Sequence, residues 1–214
     1  MKFDDISSID MDPNTVRSAA ENAKKFLKEL DASNAYEPLV EAEGAKVEKI
    51  PPPPVAGTYR MTGIVNASAK KTFDVLSDVN NTIPLSTSIV KIEVLDEIDE
   101  GKLKVIHHEH KAPGFAVSAR DFIIVTTSEK ENDGSYTIVN ASVEHPKKPE
   151  VSGFVRGHLI ASGYFLYPEG DDKCKLVYII QTDPKGWIPG WVISMANKQL
   201  PETFKRITDF ISKQ

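Results

Sequence analysis

Between residues 89 and 182 the chain carries six β-like runs in succession, and no other feature narrows its possible folds as much. They cover residues 89–95, 102–110, 121–130, 135–144, 155–167 and 174–182, and are rich in β-branched and aromatic side chains. The links Glu100-Gly101, Asn132-Asp133-Gly134 and Glu169-Gly170-Asp171-Asp172 have the composition of tight turns, so successive runs should pair antiparallel. A sheet of this extent must bury at least one face, and the flanking segments supply the cover.

Asp12-Pro13 reads as a helix cap followed by the first helical residue, and Val16, Ala19, Ala20, Ala23, Phe26, Leu27 and Leu30 then recur at helical spacing. A helix over 13–30 is expected, with Arg17, Glu21, Lys24, Lys25 and Lys28 on its wet face. Residues 36–50 are mildly β-like and end in four prolines, Pro51 to Pro54, which mark an edge or a stiff connector. A strand over 58–66 follows, and Ser68 then caps a short helix carrying Phe73, Leu76 and Val79. At the other end, Val192, Met195, Ala196, Gln199, Leu200, Phe204, Ile207 and Ile211 form a helical stripe over 191–213, which Pro201 should kink. The class is therefore α+β, a single domain over 1–214, with a curved sheet wrapped around an amphipathic helix and enclosing either a packed core or a cavity.

Composition excludes several partners. A net charge of -5 and a pI near 5.6 do not suit a chain built to neutralise phosphates, and no basic stripe with interleaved aromatics is present, so no nucleic acid is expected. The first residues are acidic and polar where a leader would be basic, and no run approaches a membrane span, which suggests a soluble, cytoplasmic protein. The lone cysteine, Cys174, sits inside a β-like run and reads as a small buried hydrophobe.

The phase of each strand determines which polar groups point inward. If Lys102 and Lys104 face water, then Leu103, Val105, His107 and Glu109 face the interior, and Glu109 needs a partner, water or a ligand unless it reaches solvent at the strand end. His108 and His110 would then share the solvent side without a third ligand, so no metal site is expected. Alternation turns Phe122, Ile124 and Thr126 inward on one run and Cys174, Leu176, Tyr178, Ile180 and Thr182 on another, although Ile123 and Val125 indicate that the opposite face is also covered. No nucleophile elbow, phosphate-binding glycine loop, zinc-protease motif or paired-cysteine motif is present, and no catalysis is expected.

Two stretches carry a family likeness: Arg120-Asp121-Phe122, and the run Thr182-Asp-Pro-Lys-Gly-Trp-Ile-Pro-Gly-Trp191. Together they resemble the signature of the START, or StAR-related lipid transfer, domain of the Bet v 1-like superfamily. The resemblance implies a helix-grip fold, with about nine antiparallel strands gripping the C-terminal helix and an internal tunnel for one lipid. It implies a sterol, phospholipid or ceramide-like ligand carried without cofactor or covalent chemistry, transient contact with a membrane surface, and a monomer. Residues 111–118 would form the lid, with Pro113, Gly114, Phe115 and Val117 at its tip. Trp187, Pro189 and Trp191 would hinge the helix, or the tryptophans would plug the end of the barrel. Arg120, Asp121, Asp183, Lys185 and Gly186 would be structural, with Arg120 and Asp121 as a rim ion pair.

The ligand would meet Glu109, His107, Phe122, Ile124, Thr126, Leu176, Tyr178 and Ile180 on the sheet, and Val192, Met195 and Ala196 on the helix. Thr126 stands where some sterol-binding members keep a buried arginine, and residues 80–85 lack the family's usual Trp-Asp pair, so the lipid class stays open. A lipid sensor without transfer activity and an enzyme using Glu109 or His107 are the alternatives.

Overall fold

Each turn signal between the β-like runs forms a hairpin, and the backbone there enters the left-handed region: Asp99, Glu100 and Gly101 at φ 54°, 58° and 83°, Gly134 at 86° and Gly170 at 83°. A further turn, Glu43-Gly44, splits the mildly β-like segment after the first helix into a hairpin of its own. The computed structural model describes residues 11–51, 57–114 and 117–214, with side chains throughout except in residues 194–198. The acidic N-terminal residues, Pro52 to Pro54, Phe115 and the side chains of Met195 and Ala196 lie outside the described residues.

Helix α1 (Pro13–Asp31) precedes strands β1 (Glu37–Ala42), β2 (Ala45–Ile50) and β3 (Gly57–Val65). Two short helices, α2 (Ala69–Ser77) and α3 (Thr82–Leu85), flank a 3-10 turn, Val79–Asn81. Then come β4 (Ile89–Ile98), β5 (Leu103–His110), β6 (Ala119–Lys130), β7 (Tyr136–Ser142), β8 (Phe154–Arg156), β9 (His158–Pro168), β10 (Cys174–Asp183) and α4 (Gly190–Ser212). Both cap predictions are met locally: Asp12 Oδ1 accepts from Asn14 N at 3.0 Å, and Ser68 Oγ accepts from Lys71 N at 3.1 Å. Pro201 lies inside the continuous α4.

The strands form one sheet in the order β1-β2-β3-β10-β9-β7-β6-β5-β4, antiparallel throughout, with β8 added in parallel beside β6. The run expected as one strand over 155–167 is thus divided at Gly157, which packs against the Phe122 ring and donates its N–H to the Asp121 carbonyl at 2.9 Å. With the division at Glu43-Gly44, this takes the eight β-like runs to ten strands, against the nine or so that the family resemblance implies.

Two layers cover the sheet. On the outer face, Val16, Ala20, Ala23 and Leu27 of α1 are buried against Val105, Ile123, Val125, Ala161, Val177 and Ile179. A fully buried Leu or Val contributes roughly 1.5–3 kcal/mol, which makes this contact the main anchor of α1. On the inner face, Phe204, Ile207 and Ile211 of α4 pack among Val47, Met61, Val65, Leu166 and Leu176. Gly63 permits that approach, since a Cβ there would stand 2.3 Å from Phe204 Cζ. Among the described residues no helix is long and apolar enough to cross a membrane.

Candidate functional site

The inner face forward of Phe204 is where the packing opens. Paired registers put Ile180, Ser162, Asn140 and Thr126 in one row across β10, β9, β7 and β6, and Tyr178, Tyr164 and Ile138 in the next. Leu176 is fully buried beneath α4, and Ile124 and Val192 nearly so, but Phe122, Thr126, Tyr164, Tyr178 and Ile180 are only half-buried although strands flank each on both sides. Tyr164 and Tyr178 stack with ring centroids 4.6 Å apart. Burial pushes the Tyr178 phenol up to about 12 despite its bond with Ser162, and raises that of Tyr164 as well. These two side chains thus keep some free surface although their hydroxyls are strongly desolvated.

Strand β5 runs opposite to the expected phase. His107 and Glu109 lie on the outer face with Leu103 and Val105, whereas Ile106, His108 and His110 turn inward beside Ile124 and Phe122. The lysines do not mark the wet face for a physical reason: Lys102 precedes the strand, and Lys104 stands on the inner face at its open end, paired with Glu97 at 3.4 Å. Glu109 accepts from Lys91 Nζ at 2.7 Å, so its partner is a surface cation. His107 Nε2 lies 2.9 Å from Asp121 Oδ2 inside the outer layer, and its Nδ1 is buried without a hydrogen bond among the described residues.

The Arg-Asp-Phe stretch also departs from a rim ion pair. Arg120 and Asp121 are both buried, and successive strand positions send them to opposite faces. Asp121 binds Arg156, with Oδ1 to Nε at 2.9 Å and Oδ2 to a terminal nitrogen at 2.8 Å. Burial alone would raise the Asp121 pKa, but the bonds from Arg156 and His107 outweigh it and hold the carboxyl below its ordinary value. Arg156 was not singled out because its partner lies 35 residues away on another strand, a pairing that nothing within the run 155–167 signals.

Arg120 donates instead to backbone carbonyls: Ser118 just before β6, and Pro184, Lys185 and Trp187 at 3.3–3.4 Å. This ties the segment leading into β6 to the turn before α4. In that turn Asp183 Oδ1 accepts from Lys185 N at 2.9 Å and Oδ2 meets Lys185 Nζ at 2.7 Å, while Lys185 and Gly186 take left-handed φ of 52° and 64°.

The segment after β5 touches the start of α4. A Cβ on Gly114 would lie 2.9 Å from Trp191 Cη2, so only glycine lets the backbone rest on that ring, while Val117 is buried and Pro113 half-buried. The tryptophans do not plug the barrel: Trp187 is 73% exposed, Trp191 54% and the neighbouring Ile193 48%. Pro189 caps α4 between them. Tyr164, Ser162, Asn140 and His108 were missed, because β9 and β5 carry apolar residues on both faces and alternation gives no phase to read.

A curved sheet that grips a C-terminal helix on one face and carries a second helix on the other defines the helix-grip fold. The START domain family model matches residues 18–214, and the chain belongs to that family. The steroidogenic acute regulatory protein of Xenopus laevis is 27% identical over 203 residues, spanning 92% of this chain and 70% of that protein. The human StAR-related lipid transfer protein 5 superposes with a TM-score of 0.84 at 21% identity, over 94% of this chain and 98% of that one. Human STARD10 superposes at 0.80 with 22% identity, over 90% and 79% of the respective chains. The structural likenesses show the fold.

Proposed function

We propose that this chain is a single-domain lipid-binding and lipid-transfer protein that holds one lipid between the inner face of its sheet and α4. The observation that carries the reading is the set of half-buried side chains in mid-sheet, Tyr164, Tyr178 and Ile180, around desolvated phenols. Acyl or sterol surface enclosed there would gain roughly 25 cal/mol per Å² removed from water. The names of the family's relatives point the same way.

The lid residues Pro113, Gly114, Phe115 and Val117 and the first turns of α4, with Met195 and Ala196, form the gate in this reading. Trp187, Trp191 and Ile193 form an exposed apolar edge beside it, suited to transient insertion at a membrane interface. The protein acts as a cytoplasmic monomer without cofactor or covalent chemistry. Glu109 and His107 face away from the inner side and are engaged by Lys91 and Asp121, which does not favour an acid or base role for either.

Donor-to-acceptor vesicle transfer of fluorescent lipids tests the proposal. Wild-type protein should accelerate transfer, and Trp187→Ala with Trp191→Ala should slow it while solution binding persists. Binding without any acceleration would replace transfer by lipid sensing, and absence of binding would sink the reading.

A further inference from the structure

His108 is the polar group of the inner face that the foregoing leaves unused. It lies between Ile92 on β4 and Phe122 on β6, in the apolar patch of Ile106, Ile124 and Leu159. It is nine-tenths buried and makes no hydrogen bond to any described residue. Its neighbour His110 is 6.3 Å away between ring centroids and is already engaged, with Nδ1 3.0 Å from Ser88 Oγ. Burial, followed by the proximity of His110 and His107, lowers the His108 pKa to about 3, and burial lowers that of His110 to about 4 against the pull of Asp121. Both rings are neutral at pH 7. A neutral imidazole offers one N–H donor and one lone pair, a combination that a hydroxyl can satisfy from either side.

The distribution of charge is equally one-sided. The ion pairs around β5 and β6, Lys91 with Glu109, Arg156 with Asp121 and Lys148 with Glu93, are formed by residues of the outer face and the loop beside it. The inner face presents Thr126, Asn140, Ser162, Tyr164 and Tyr178, all uncharged. Three described lysines share that face at its margins: Lys104, paired with Glu97 where β5 opens to solvent; Lys130 at the end of β6, over the Tyr136 ring; and Lys49 on β2, with five strands between it and β5. Arg120 also lies on it, across from His110, with its guanidinium held by the carbonyls of Ser118, Pro184, Lys185 and Trp187. A phosphate drawn in beside His108 would meet no described cation except Arg120, whose donors are already spread over four backbone carbonyls, and would be buried without an ion partner of its own.

We infer that the lipid's buried polar group is uncharged and hydrogen-bonds His108, so that the site selects a hydroxyl-bearing neutral lipid over a phospholipid. The inference rests on the lipid-binding reading above. It makes His108 a specificity-determining residue, on the face opposite to the one that strand alternation suggested.

The test uses the full chain and phosphatidylcholine vesicles carrying cholesterol, ceramide and diacylglycerol at equal low mole fractions. The protein is incubated, re-isolated and extracted, and its lipid is quantified by mass spectrometry for wild type, His108→Leu and His108→Gln. The expected result is a one-to-one complex with a neutral lipid, whose identity separates sterol, sphingoid and glyceride ligands. His108→Leu should weaken uptake about five- to tenfold, the worth of one hydrogen bond, and His108→Gln, which keeps a donor and an acceptor, should retain most of it. Stoichiometric phosphatidylcholine with the neutral lipids left behind would overturn the inference and leave lipid binding standing, whereas no lipid at all would overturn both. Equal neutral-lipid uptake by His108→Leu would remove His108 from the contact. If that variant fails to fold, the wild-type selectivity and the glutamine variant still decide.

Discussion

The grip on α4 can be tested through a single missing methyl. An ideal Cβ on Gly63 would lie 2.3 Å from Phe204 Cζ, 2.7 Å from Cε2 and 2.8 Å from the Gly44 carbonyl oxygen, the first more than an ångström inside ordinary contact. In Gly63→Ala the ring must retreat from a pocket in which it is 2% exposed, among Val47, Met61, Leu166 and Leu176. Overpacking of this kind costs about 1–3 kcal/mol, and for a domain of this size about 2 kcal/mol corresponds to a fall of roughly 4–8 °C in Tm. Urea titration and calorimetry of the variant measure both quantities. Phe204→Ala alone should cost about 3–5 kcal/mol by leaving a cavity. In that background Gly63→Ala should cost less than half its usual amount, the remainder coming from the Gly44 carbonyl. If Gly63→Ala costs the same with and without the Phe204 ring, that ring is not what fills the space above Gly63, and the described seating of α4 is wrong.

Asp121→Asn should destabilise the protein by about 3 kcal/mol at pH 7, because it strips a largely buried Arg156 of its counter-charge, and denaturant titration of Asp121→Leu with Arg156→Met should recover a good part. His108 gives a pH signature. Its folded pKa of about 3 lies below the ordinary value of 6.5, so the unfolded chain binds the extra proton first and stability falls as pH drops from about 7 towards 3. His108→Phe should flatten that part of the stability-against-pH curve, and an unchanged slope would refute a desolvated imidazole. Arg120→Lys keeps the charge but not the guanidinium's spread of donors over four carbonyls, so hydrogen exchange should quicken in residues 184–189 and 117–118 with a global loss of only about 1–2 kcal/mol.

Much of the architecture is legible in local signals. Asp12 and Ser68 cap the helices they precede, and the glycines at 101, 134 and 170 turn the hairpins, because caps and left-handed turns are satisfied within a few residues and owe little to the rest of the fold. The inward phase of β6 and β10 was readable as well, since Asp121, Lys173 and Lys175 broke the symmetry between their faces. The Thr182–Trp191 run carried the family likeness, and its role as the turn fastened by Arg120 follows from the fold.

Strand β5 shows where such reading ends. Apart from Lys104 and Glu109, which fall one on each face, its eight residues are apolar or histidine on both sides, since α1 covers one face of the sheet and α4 closes over the other. Which face receives Glu109 and which receives His108 depends on where α1 docks, a contact between segments some 80 residues apart. The Asp121–Arg156 pair, the stack of Tyr164 on Tyr178 and the uncharged row of Thr126, Asn140 and Ser162 arise in the same way, from strands brought side by side. The sequence alone determined the helices, the turns and the succession of strands, because those are settled by neighbours along the chain. Only the tertiary structure decided which polar groups are sealed inside and which are matched by charge outside, because burial belongs to the packed sheet and to no strand by itself.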